Sequence, residues 1–323
     1  MLRWPEPLRS GDRVRVIAPG GPFEPERLAS GLALIRAAGL VPVMRDDLSA
    51  RARYLAGDDT RRRRELEEAL ADKSARAIWV ARGGYGATRL LPGLAERLRT
   101  GAPRWLIGFS DVTALHCAWS AAGYASLHGA NVTTLVSWSA EARRELFGLL
   151  FAPSALAYRG AAANGRADVV TGPLRGGNLT MLTSLVGTGH LPSFAGAIVL
   201  VEDVGERPYR LDRQLVQLWQ AGAFAGARGV AVGQLTDCEE PHKDGAPAPG
   251  YTAREVVAAV LAEIDVPVLM DVAIGHEPSS RPVVLGARAT LDLGRQELVV
   301  EAPSPGAAAE HARSPGAQKR SPL

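Results

Sequence analysis

Hydrophobic and polar positions along the chain alternate between two rhythms. "DRVRVIAP", beginning at Asp12, alternates and then runs apolar until Pro19-Gly20-Gly21 stops it, the pattern of a strand ending in a turn. "PERLASGLALIRAAGL" follows, with Leu28, Leu32, Leu34 and Ile35 at helical spacing and Gly39 at its end. The pair of rhythms then returns. "VPVMR" reads as a strand, "DTRRRRELEEALAD" as a charged helix carrying Leu66 and Leu70, and "ARAIWVAR" as a strand before "GGYGATRLLPGL" turns into a helix. "RWLIGF" predicts a strand and "SDVTALHCAWSAAG" a helix. Regular β-α alternation of this kind predicts an open parallel sheet with helices on both faces, an α/β fold.

The rhythm loosens after residue 150. "FAPSALAYRGAAANGRADVVTGPLRGGN" is rich in Gly, Ala and Pro, the composition of a boundary. We therefore divide the chain into an N-terminal α/β domain over 1–155, a linker over 156–172 and a C-terminal domain over 173–302. In the second domain "AIVLVED" reads as a strand, "YRLDRQLVQLWQAGAF" as an amphipathic helix and "ARGVAVGQLTD" as a strand. "TAREVVAAVLAEI" reads as a helix and "VPVLMDVAIG" as a strand, before "VVLGARATLDLGRQELVVE" closes as a hairpin. Residues 303–323 have no periodic face and predict a disordered tail. No internal repeat is visible.

Composition adds exclusions. The chain has 323 residues, 46% hydrophobic and 22% charged, enough for two domains with real cores. Its formal net charge is +3, carried almost wholly by arginine, since lysine occurs only at Lys73, Lys243 and Lys319. With no dense basic stripe interleaved with aromatics, nucleic acid is not an expected partner. Cys117 and Cys238 are too few for a disulfide framework and predict a reduced compartment. The N-terminus has no signal-peptide pattern and no run reaches the length of a membrane helix, so a cytoplasmic protein with no membrane partner is expected.

Between "RWLIGF" and the helix after it, Ser110 stands at the tip of a Gly-x-Ser turn, with Gly108 two residues before it. A strand entering a helix through such a turn resembles a nucleophile elbow, which lifts a hydroxyl off the sheet edge. The next backbone N–H, that of Asp111, then points at whatever the serine attacks. Val112 stands where the usual elbow has its second glycine. The same residues also suit a plainer role, with Ser110 or Asp111 capping the helix. A nucleophile needs a base and an orienting acid. Of the six histidines, His276 in "AIGHEPSS" directly follows an apolar strand, where a catalytic base belongs in an α/β scaffold. Glu202 and Asp203 likewise follow an apolar strand; such an acid orients a histidine or pairs with Arg207, Arg210 or Arg213. "RGGYGATR" lacks the residues of a P-loop, but Gly83-Gly84 could lend a second amide to an oxyanion hole. "TDCEEPH" has no metal-ligand spacing and reads as an exposed acidic loop; no metal and no cofactor are expected.

Taken in order, "IAPGGP", "ARGGYGATRLLP", "LIGFSDVTALH", "GPLRGGNLTMLTSLVGT", "VLVEDVGERPYRLDRQL" and "MDVAIGHEP" resemble the LD-carboxypeptidase family of serine peptidases, which includes the microcin C self-immunity hydrolases. The likeness runs from about Asp12 to Glu301. It implies a flavodoxin-like N-terminal sheet domain and a smaller α/β C-terminal domain of half-barrel character. It also implies a catalytic triad of Ser110, Glu202 and His276, with oxyanion donors at Asp111 and Gly84. The implied substrate is a muropeptide tetrapeptide, cut between an L-centre such as meso-diaminopimelate and the terminal D-alanine, and the implied assembly a homodimer. The immunity branch implies aminoacyl- or peptidyl-nucleotide conjugates instead, with Trp138 or Trp219 as candidates to stack on the base. Neither Arg82 nor Arg207, the arginines near the motifs, is tied by the sequence to a substrate carboxylate.

Overall fold

The computed structural model describes residues 2–163, 166–240 and 250–303. The apolar runs of the first half pair as the alternation demands. Strands β1 (Arg13–Ile17), β2 (Val41–Val43), β3 (Ala75–Val80), β4 (Trp105–Gly108) and β5 (Ser126–His128) lie parallel in the order β2-β1-β3-β4-β5. Their central members are buried on both faces, as parallel strands covered by helices must be. The crossovers carry α1 (Pro25–Ala37), α2 (Asp59–Ala71), α3 (Leu94–Arg99) and α4 (Thr113–Ala121), and α5 (Ala140–Phe151) follows β5. The helix after the glycine turn splits into a 3-10 turn at Ala87–Leu90 and α3, because Pro92-Gly93 interrupts it.

The stretch 156–172, expected as a linker, carries β6 (Leu156–Arg159), β7 (Ala161–Ala162) and the start of β8 (Val169–Asn178). The glycines that suggested irregular chain are there for close approach. A Cβ on Gly176 would lie 2.0 Å from Leu200 O, and one on Gly177 would meet the Thr113 side chain at 2.6 Å. After α6 (Leu179–Ser184) come β9 (Ile198–Val204), α7 (Pro208–Gln220), β10 (Gly229–Thr236), α8 (Ala253–Glu263) and β11 (Val268–Met270). β8 to β11 are mutually parallel.

The expected closing hairpin divides. β12 (Val283–Leu285) leaves the second half and pairs antiparallel with β5, completing the first sheet. Only β13 (Arg288–Asp292) and β14 (Glu297–Val300) form the hairpin, which lies against the first half of β8. Gly286 at φ +87 makes the bend between the two sheets. The second sheet runs β6-β14-β13-β8-β9-β10-β11-β7. Its two edge strands are joined through Gly160 alone, so the sheet curls until it nearly closes. A Cβ on Gly160 would sit 2.4 Å from Met270 O, so the corner needs a glycine. The expected tail falls largely at 304–323, outside the described residues.

The two halves are locked together. Arg281 makes a two-pronged ion pair with Glu145 of α5 at 2.6 and 2.8 Å, and Ser139 N donates to Pro278 O at 2.8 Å. Among the described residues no helix is long and apolar enough to cross a membrane.

A single methyl group tests how tightly the first sheet is braced. Gly31 of α1 packs on the turn at 132–134, and a Cβ there would lie 1.9 Å from Val132 O, a backbone atom that cannot swing away. Gly31→Ala is expected to destabilise the protein by at least about 1–3 kcal/mol, the range for forced overpacking, in urea unfolding.

Candidate active site

The elbow forms where the sequence placed it. β4 ends at Gly108, and Ser110 opens a 3-10 turn, Ser110–Val112, that leads into α4. Ser110 has φ +67, a left-handed conformation rare for a residue with a side chain. The turn is held from three sides. Phe109 N donates to Asn131 Oδ1 at 3.3 Å, Gly129 N to Gly108 O at 3.1 Å, and His116 Nε2 to the same carbonyl at 2.9 Å. Because a carbonyl only accepts, His116 carries its proton on Nε2 and accepts from Ser126 Oγ at Nδ1, 2.8 Å away. Burial holds the His116 pKa down, to about 4, so this brace is a neutral imidazole at pH 7.

Neither Ser110 nor Asp111 caps a helix through its side chain. The Asp111 carboxylate turns the other way, into the glycine turn, where Oδ2 accepts from Ala87 N at 3.0 Å. Burial pushes this carboxyl up to about 6, against the downward pull of the Ala87 and Gly86 amides and of the Arg62 guanidinium. Gly20, in the turn after β1, has no room for a side chain: a Cβ would lie 2.4 Å from Gly83 O and 2.7 Å from Asp111 Oδ2. Gly21 N donates to that same Gly83 carbonyl at 2.8 Å. A Cβ on Gly83 would lie 3.2 Å from Ser110 Cβ and 3.4 Å from Asp111 N, so the two turns touch. Gly84, next in the chain, has φ +91 and is exposed. Among the described residues, neither the Gly84 nor the Asp111 amide N–H has an acceptor within the protein.

From the second sheet come an acid and a base. Successive strand residues face opposite ways, and this separates the two carboxylates at the end of β9. Glu202, fully buried, points at His276, with Oε2 2.8 Å from Nδ1. Asp203 points to α6 instead, accepting from Asn178 Nδ2 at 2.8 Å and from Thr180 N and Oγ1 at 2.9 and 2.8 Å. Neither meets the arginines after β9; Arg207 approaches Glu240 and Arg210 approaches Glu206. Burial pushes Glu202 up and the His276 imidazole opposes it. An imidazole that donates Nδ1–H to a carboxylate keeps Nε2 as its acceptor. His276 Nε2 is buried with no hydrogen-bond partner among the described residues, so the Ser110 hydroxyl does not bond it directly. The ring packs tilted against Phe109, the neighbour of Ser110, at 4.6 Å between centroids and 49° between planes. The loop carrying His276 is fixed by Gln234, whose Oε1 accepts from Ser280 Oγ at 2.5 Å and whose backbone N donates to Ile274 O at 2.9 Å. Asn178 N donates to Thr113 Oγ1 at 3.0 Å, tying the start of α4 to the end of β8.

Several residues beside the site carried no local signal. His128, fully buried, lies 6.1 Å from the rings of both Phe109 and His116, with both ring nitrogens unpartnered among the described residues. Burial holds it neutral. Only its place at the end of β5, next to the elbow strand, could have marked it. Trp138 is buried against Phe109. Arg82 is exposed and donates to Pro22 O. Cys117 and Cys238 are free and buried. The acidic loop is engaged in part, as Glu239 accepts from Ala253 N at the start of α8, while His242 lies outside the described residues.

A mostly parallel sheet bearing a serine elbow, joined to a nearly closed sheet bearing a paired acid and histidine, defines a mixed α/β scaffold of two sheets. Family profiles place it further: one described as the LD-carboxypeptidase N-terminal domain matches residues 14–129, and one described as the LD-carboxypeptidase C-terminal domain matches 171–291. The chain belongs to the LD-carboxypeptidase family, and so among peptidase hydrolases. It is 34% identical over 294 residues to the murein tetrapeptide carboxypeptidase of Pseudomonas aeruginosa, covering 88% of this chain and 94% of that one. The structure of a muramoyltetrapeptide carboxypeptidase from Oxalobacter formigenes superposes with a TM-score of 0.79 at 25% identity, over 90% of this chain and 98% of the other. MccF in complex with glutamyl sulfamoyl guanosine shares the fold, at a TM-score of 0.79 and 18% identity over 92% and 98%.

The raised Asp111 carboxyl has a thermodynamic signature. A folded-state value above the unfolded 3.8 favours folding while the group is protonated; that contribution is whole below 3.8 and is lost as the pH climbs through about 6. Asp111→Asn removes the titration. Urea unfolding between pH 4 and pH 7 is therefore expected to show the wild type losing about 2 kcal/mol relative to the variant, the part of the shift, at 1.36 kcal/mol per pKa unit, that falls inside this window.

Proposed function

We propose that the chain is a serine-type LD-carboxypeptidase that releases D-alanine from muropeptide tetrapeptides, with Ser110 as nucleophile, His276 as general base and Glu202 as its orienting acid. One observation carries the reading: His276 is bonded at Nδ1 to the buried Glu202 while its ring lies on Phe109, beside the strained Ser110. In the reaction, His276 Nε2 takes the Ser110 proton as Oγ attacks the carbonyl joining the L-centre to D-alanine. Glu202 holds the tautomer and stabilises the imidazolium. The amides of Asp111 and Gly84 bear the oxyanion, each such donor being worth about 10²–10³-fold in rate. The imidazolium returns the proton to the D-alanine amine as the C–N bond breaks. Water, deprotonated by the same histidine, then cleaves the acyl ester. The serine–histidine bond closes on binding, since such bonds are often long without substrate. The named substrates of the Pseudomonas and Oxalobacter relatives support the muropeptide. The compartment that fits this chemistry is the cytoplasm, where wall fragments are recycled.

A second reading, hydrolysis of aminoacyl- or peptidyl-nucleotide conjugates, uses the same residues. It draws on the exposed Tyr54 and Tyr85 rings, 5.9 Å apart, since Tyr85 adjoins Gly84 and offers a stacking surface. The tryptophans suit it less. Trp138 is buried, and Trp219 lies in the last turn of α7, about 16 Å along the helix from its start at Pro208. Mass spectrometry with both substrate types decides between the readings: D-alanine release from the tetrapeptide is expected, and cleavage of the conjugate alone would favour the second. Ser110→Ala is expected to lower D-alanine release at least about 10⁴-fold with the fold intact; wild-type turnover in that variant would overturn both readings.

A further inference from the structure

Asp111 contributes more than its backbone to the site. Its side chain is almost wholly buried, at 1% exposure, and Oδ1 has no partner among the described residues. A half-satisfied buried carboxylate costs stability that an apolar side chain would not, so its presence asks for a reason outside folding. The surroundings supply one. Oδ2 reaches 24 residues back along the chain to accept from Ala87 N, at the end of the turn that carries Gly84. Gly20 lets the turn after β1 and the glycine turn pack at distances where no Cβ fits, and a Cβ on Gly83 would crowd the elbow at 3.2 Å from Ser110 Cβ. From the other side Arg62, itself fully buried, donates to Gly86 O at 2.9 Å and to Pro19 O, and is paired with Asp59. The glycine turn is thus held at Ala87 by an anion and at Gly86 by a cation, and Arg62 offsets the charge of Asp111.

We infer that the Asp111 carboxylate is a positioning residue for the oxyanion hole, holding the Gly83–Ala87 turn against the elbow so that the Gly84 and Asp111 amides converge on one point. The inference rests on the proposed serine-peptidase reading. One residue then serves both halves of the hole, its backbone supplying one amide and its side chain fixing the loop that supplies the other. A hole works by being preorganised, and a donor displaced by about an ångström no longer meets the developing charge.

The test compares Asp111→Ala with Asp111→Asn, because asparagine keeps an oxygen that accepts from Ala87 N–H. With the muropeptide tetrapeptide, Asp111→Ala is expected to lower kcat about 10²-fold or more with KM changed less than about threefold, the mark of an interaction made in the transition state. Asp111→Asn is expected to recover at least about tenfold of that loss. A merely structural role would change stability without this split. Independently of any substrate, hydrogen exchange at the Ala87 amide is expected to quicken at least about tenfold in Asp111→Ala and to stay slow in Asp111→Asn. Wild-type kcat in Asp111→Ala, or equal losses in both variants, would overturn the inference. Should Asp111→Ala not fold, fast Ala87 exchange or a hundredfold loss in Asp111→Asn would overturn it as well. Wild-type protein that releases no D-alanine overturns the underlying reading and the catalytic half of the inference, while Ala87 exchange still decides whether the clamp exists.

Discussion

A carboxylate with no access to water must have a partner, and at the end of β9 that partner is His276. Glu202 is fully buried and Oε2 meets Nδ1 at 2.8 Å. Leaving such a charge alone in the interior is among the costliest things a fold can do. The requirement reaches outward from this pair. His276 must sit above β9, so its loop is held by Gln234 and Ser280. A Cβ on Gly233 would lie 2.2 Å from Ile274 O and 3.0 Å from Glu202 Cβ, so β10 can approach the segment that leads to His276 only because the position is glycine. The ring then lies against Phe109, and the second half of the chain is registered on the elbow of the first.

Registering two sheets through one side chain would leave them free to shift, and other contacts remove that freedom. β12 departs from the second half to pair with β5, which lies beside the elbow strand β4. Asn178, at the seam of β8 and β9, bonds Thr113 through its backbone and Asp203 through its side chain. Arg281 reaches Glu145 and Ala157 O from the segment between His276 and β12. Any motion of one sheet against the other must break several of these bonds together. The proposed reaction needs that rigidity, because its nucleophile and its base arise on different sheets.

Legibility in the sequence follows the range of the interactions. The strand-helix alternation of the first half was readable because hydrophobic periodicity is local, and the elbow because Gly108 and Ser110 sit between a strand and a helix. The second sheet was less so. "GPLRGGN" looked like irregular chain, yet its glycines serve close packing against the Leu200 backbone and the Thr113 side chain, a constraint set by distant residues. β12 looked like half of a hairpin because nothing nearby says that Val283–Leu285 leaves for another sheet. The same limit hid the roles of Asp111, whose partner Ala87 is 24 residues away, and of His116, whose bond to Gly108 O spans 8 residues inside the element that follows it. A histidine in the middle of an apolar helix face was the only hint of the latter.

The adjacent carboxylates of β9 show how little separates structure from chemistry here. Glu202 and Asp203 are both buried, both close an apolar strand, and both need hydrogen bonds. Strand alternation sends one to each face. On one face Asp203 finds four donors, the Asn178 amide, the Thr180 N–H and hydroxyl, and the Val204 N–H, and becomes a fully satisfied anchor for α6. On the other, Glu202 bonds one imidazole, and Oε1 has no hydrogen-bond partner among the described residues. A saturated carboxylate has no further proton to stabilise, whereas one with a single titratable partner responds when that partner gains charge. Moving the register of β9 by one residue would exchange the two environments. The pairing of Asn178 with Glu202 across β8 and β9 is thus what assigns the anchor and the proposed catalytic acid.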